Sequence, residues 1–79
     1  YQDAYQYLAK ALEYAPADAV ILEHYAEAQV MLGMRQEALA TLEKALKNSS
    51  KSDEKEVESR VRERLQNLKK EIDAANSKN

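Results

Sequence analysis

Tyr1–Tyr14 (YQDAYQYLAKALEY) recurs as Arg35–Asn48 (RQEALATLEKALKN), 34 residues further along the chain. Six of the fourteen paired positions are identical: Gln2/Gln36, Ala4/Ala38, Leu8/Leu42, Lys10/Lys44, Ala11/Ala45 and Leu12/Leu46. The pair Asp3/Glu37 also keeps its charge. In both copies the shared apolar residues step by three and four, which places them on one helical face. The repeated unit is therefore a helix. What lies between the two copies must return the chain to the same starting geometry.

Outward from this match, four helices are expected, over 1–15, 18–32, 35–47 and 53–75. The first ends before Pro16, because proline disfavours the α conformation in the residue before it. Asp18 then stands ready to cap the second, along which Ile21, Leu22, Tyr25, Ala26, Ala28, Val30 and Leu32 form a wide apolar arc. An arc that wide is expected to be covered on two sides. Gly33 follows where a left-handed C-terminal cap is wanted and turns the chain back tightly. The third helix buries Ala38, Leu39, Leu42, Ala45 and Leu46. Asn48–Ser52 (NSSKS) reads as a polar linker, and Asp53-x-x-Glu56 as a variant capping box that opens the fourth helix. Val57, Val61, Leu65, Leu68 and Ile72 give that helix a narrow stripe among Lys, Arg and Glu, and residues 76–79 are expected to be a disordered tail.

A helix-turn-helix unit of 34 residues, with Leu22, the pair Tyr25-Ala26, Gly33 at the turn and then Ala38, Leu42 and Ala45, resembles the tetratricopeptide repeat. The half unit before it matches through Tyr1, Ala4, Leu8, Ala11 and Pro16. Gln29 and Ser50 depart from the usual Tyr and Pro of that pattern. The resemblance implies an all-α, α-solenoid fragment of about four antiparallel helices. Its parts would be the second helix of a truncated repeat (1–15), one complete repeat (16–48), a linker (49–52), a capping helix (53–75) and the tail. The chain would then be the C-terminal end of an array, open at its N-terminal edge.

Composition narrows the chemistry. The chain has 79 residues and a net charge of −2; of its 35 hydrophobic residues, 13 are Ala and 5 Tyr, with no Phe or Trp. A core so poor in large side chains relies on helices that approach closely through alanine. With no Cys, one His and one Gly, disulfides, Cys-ligated zinc, a His-based metal site and a phosphate-cradling glycine loop are all excluded, so neither cofactor nor metal is expected. The slight acidity argues against nucleic acid as a partner, and no apolar run approaches the length of a membrane span. No signal segment stands within the chain, so it is expected to be soluble, with no compartment indicated. His24 has no Ser, Asp or second His beside it in the sequence pattern, and no catalytic activity is expected.

The resemblance also implies where a ligand would lie. The first helix of each repeat in that family faces a concave groove, and the matching positions here are Val20, Glu23, Glu27, Val30 and Met31, with His24 adjacent. Two glutamates at those positions would repel a terminal carboxylate, so a neutral or basic peptide with an apolar anchor against Val30 and Met31 is expected. The implied function is a non-catalytic scaffold for protein or peptide partners. The competing expectation is self-association, a homo-oligomer formed through Tyr1, Tyr5 and Leu8 at the open edge or through the long final helix. Arg60, Arg62 and Arg64, interleaved with Glu, read as a solvated helical face.

Overall fold

The computed structural model describes residues 2–51 and 54–77. Four helices follow one another, α1 (Gln2–Tyr14), α2 (Ala19–Met31), α3 (Arg35–Lys51) and α4 (Lys55–Ser77). Two local signals set the ends of α2. The Asp18 carboxylate accepts from the backbone N–H groups of Val20 and Ile21 at 3.0 and 3.1 Å, so two donors with no partner inside the helix are satisfied. At the other end Gly33 takes φ +80°, its N–H reaches the Val30 carbonyl, and the Met34 N–H reaches the Gln29 carbonyl at 2.8 Å. This paired closure is a Schellman cap, and it needs a residue that adopts positive φ without a Cβ penalty. Met34 then starts α3 directly, its carbonyl accepting from the Ala38 N–H. The consequence is a tight α2–α3 hairpin.

Packing follows the repeat. Leu22 and Ala26 of α2, Ala38, Leu42 and Ala45 of α3, and Val61, Leu65 and Leu68 of α4 form the buried cluster. Ala38 and Ala45 are fully buried, which lets α3 lie close to both neighbours. α2 and α4 thus flank α3, whereas α1 packs on α2 alone and contributes no fully buried residue. Tyr5 of α1 stacks on Tyr25 of α2, with ring centroids 5.0 Å apart and planes 14° from parallel. Hydrogen bonding with Tyr5, followed by burial, pushes the Tyr25 phenol up to about 12.

Three expected boundaries move. α3 does not stop at Lys47 but runs on to Lys51, so most of the expected linker is helical. Ser49 explains this. It continues the Ala38–Leu42–Ala45 stripe by one more step of four, is fully buried, and its hydroxyl donates to the Leu46 carbonyl at 3.0 Å. α4 likewise extends past Ala75 to Ser77, so the first half of the expected disordered tail is helical. It begins at Lys55; the expected capping box rests on Asp53, which lies outside the described residues. Across the junction the Ser50 hydroxyl donates to the Glu58 carboxylate, and the Glu54 N–H to the Ser49 carbonyl.

Candidate functional site

α2 lies between α1 and α4, and its outward residues form a ridge with a cleft on either side. Toward α4 is a cleft of about 240 Å³, where Glu27, Val30 and Met31 face Arg64, Asn67 and Glu71. Toward α1 is a wider groove of about 520 Å³, where His24, Glu27 and Met31 face Asp3, Tyr7 and Leu8. Glu27 and Met31 line both. Met31 on the ridge is 52% exposed and Tyr7 across the α1–α2 groove is 74% exposed, so large apolar groups stand open to solvent on both α1 and α2. This is an arrangement for binding, since surface of that kind is stabilised when a partner covers it.

The six residues expected to face a ligand divide among these environments. His24, Glu27 and Met31 are exposed on the ridge, and Val30 is half-buried at the floor of the α2–α4 cleft. Val20 is half-buried near the start of α2 and lines neither cleft. Glu23 is different. It is 2% exposed, and one of its carboxylate oxygens accepts from Arg60 Nε at 2.7 Å and Arg64 Nε at 2.8 Å. Burial alone would raise the Glu23 carboxyl, but the hydrogen bonds and charges of Arg60 and Arg64 outweigh it and hold the group below its ordinary value. A carboxylate so enclosed ties α4 to α2 and offers little to a ligand.

Arg60 and Arg64 are an inter-helix pair that the sequence pattern hid. Like charges four apart on a helix repel, so a lone pair of this kind costs stability unless an anion from another element meets it. Glu23 is that anion, 37 residues away from Arg60 in the chain. Glu27 lies 3.9 Å from Arg64 as well, with its carboxylate about half exposed. Arg64 thus offsets the acidity of Glu27, which lines both clefts, while Asp3 adds a carboxylate on the α1 side. Of the expected self-association edge, Tyr1 lies outside the described residues, Tyr5 is half-buried in its stack on Tyr25, and Leu8 is half-buried in the α1–α2 groove. The stripe of the final helix is already buried on α3. Among the described residues no three His, Asp or Glu side chains converge on a metal position.

Helix pairs stacked at a 34-residue period, joined by a Gly-closed hairpin and packed through alanine, define a helical-repeat binding protein. The tetratricopeptide-repeat family model matches residues 1–56, and the chain belongs to that family. No curated protein and no solved structure matches it. Proteins of this family generally mediate protein–protein interaction and are typically scaffolds without catalysis of their own. No helix among the described residues is long and apolar enough to cross a membrane.

Proposed function

We propose that this chain is a non-catalytic scaffold that holds a peptide segment of a partner protein in the cleft between α2 and α4. The observation that carries this reading is the ridge itself: Met31 and Glu27 stand exposed over a cleft whose floor includes Val30 and Leu42. An apolar side chain of the ligand would rest against Val30 and Met31, and a cation beside it would meet Glu27 or Glu71. Glu23 takes no part in that recognition, because Arg60 and Arg64 already hold it. Selection of peptides from a random library against the 79-residue chain tests the reading. Recovered sequences should carry an apolar anchor next to Lys or Arg, and Asn67→Trp, which fills the cleft from the exposed face of α4, should abolish their binding. Peptides that bind the Trp variant as well as the parent would refute it.

A second reading, self-association, is supported by the open face of α1, which packs on α2 alone. It predicts a dimer in light scattering over a range of concentrations, dissolved by polar substitution at Leu8. A monomer at every concentration would remove it.

A further inference from the structure

We infer that Met31 is an oxidation site, at which conversion of the thioether to the sulfoxide by a hydroperoxide closes the α2–α4 cleft to its ligand; the inference rests on the peptide-binding reading above. The chain has no Cys and two Met, so Met31 and Met34 hold all of its sulfur. The two are close in sequence and differ in surroundings. Met34 is half-buried just after Gly33 and lines neither cleft. Met31 is 52% exposed on the ridge, forms part of the cleft wall, and lies outside the buried cluster that holds the helices together. An oxidant in water reaches an exposed sulfur first, so Met31 is the residue that reacts.

That exposure belongs to the position in the repeat. α4 meets α2 along Arg60, Arg64 and Asn67, and His24, Ala28 and Met31 stand at the same spacing on α2, 36 residues earlier. Asn67 lines the cleft and stays exposed although α2 faces it. A helix packed beside α2 in the same manner would leave Met31 open too.

The step balances with hydrogen peroxide as the oxidant. A sulfur lone pair attacks one peroxide oxygen, and the S–O bond forms as the O–O bond breaks. The transferred OH then gives its proton to the departing hydroxide, which leaves as water. Sulfur loses the two electrons that the peroxide gains. The product replaces a flexible apolar end, able to fit many ligand shapes, by a strong dipole with an acceptor oxygen. An apolar anchor resting on Val30 and Met31 would then have to strip water from that S=O group, which disfavours docking. The fold itself loses nothing, because the helices are held by residues other than Met31.

The test treats the 79-residue chain with hydrogen peroxide, locates each added oxygen by mass-spectrometric peptide mapping, and measures affinity for a labelled library-selected peptide by fluorescence anisotropy. Met31 should take up oxygen before Met34. Its oxidation should weaken peptide binding about tenfold or more while the circular dichroism melt stays in place, because most of the benefit of covering one Met side chain is lost. Methionine sulfoxide reductase should restore the affinity. Met34→Leu should keep the whole response, and Met31→Leu, compared with itself before treatment, should show none. Met34 oxidising as fast as Met31, an affinity unchanged by oxidation of Met31, or the same loss in Met31→Leu would overturn the inference and leave the peptide-binding reading standing. So would a loss of affinity accompanied by a lowered melt, because the effect would then belong to the fold. A reduced chain that binds no library peptide would refute that reading and the inference together.

Discussion

Replacing Glu23 by Gln should loosen α4 from α2 without changing the shape of the side chain. Glu23 is 2% exposed and receives two charge-assisted hydrogen bonds, at 2.7 and 2.8 Å. Such bonds are worth roughly 1.5–3 kcal/mol each when made to a charged group. The two guanidiniums, however, are 47% and 45% exposed, so water replaces much of what they lose, and the amide oxygen still accepts one bond. The net loss is therefore about 1–2 kcal/mol. In a domain of this size each kcal/mol moves the melting temperature by roughly 4–8 °C, so Glu23→Gln should melt about 4–16 °C lower in circular dichroism. The pH dependence has a definite sign. Because the folded state holds the carboxyl below its ordinary value of 4.5, its contribution is complete above that value. It fades as pH falls through the folded-state pKa. Parent and variant should differ fully at neutral pH and converge in acid. An unchanged melting temperature, or a difference that persists at low pH, would refute the role of Glu23 as a tie between helices.

Other perturbations address the remaining links. Ala38→Leu, at a fully buried contact of α3, should cost about 1–3 kcal/mol by overpacking, whereas Ala4→Leu, at the exposed counterpart on α1, should be nearly neutral in urea denaturation. Equal costs would mean that the two repeat copies are equally covered. Gly33→Ala should lose about 1 kcal/mol from backbone strain alone, since nothing lies within 4 Å of an added Cβ; no change in the urea midpoint would argue against the positive φ. Asp18→Ala should cost about 1 kcal/mol and Asp18→Asn much less, and equal losses in thermal melts would show that the cap is not what stabilises the start of α2.

Helix number, helix faces, the Asp18 cap and the Gly33 turn were legible in the sequence because each is a local matter of spacing or of one residue's conformational range. The family followed from the 34-residue match for the same reason. The end of α3 was misread because Ser49 and Ser50 look like linker composition, while Ser49 also sits one helical step beyond Ala45 on the buried stripe. A small residue in register with such a stripe packs whether or not it is polar. The site was only half legible. Spacing placed Glu23 and Glu27 on neighbouring turns of α2, but which of them meets solvent depends on where α4 lies. That position is set by contacts far apart in the chain, the packing of Val61, Leu65 and Leu68 against the buried stripe of α3 and the pairing of Arg60 and Arg64 with Glu23, and no window of sequence contains both partners.

We propose that partners dock against the exposed ridge of α2, in the cleft between α2 and α4. Amide chemical-shift mapping of the isotope-labelled chain, titrated with a library-selected peptide, tests this residue by residue. Shifts should appear at Glu27, Val30, Met31 and Asn67. Shifts confined to the outer faces of α3 and α4, around Glu43, Lys47 and Lys69, with the α2 ridge unmoved, would contradict it.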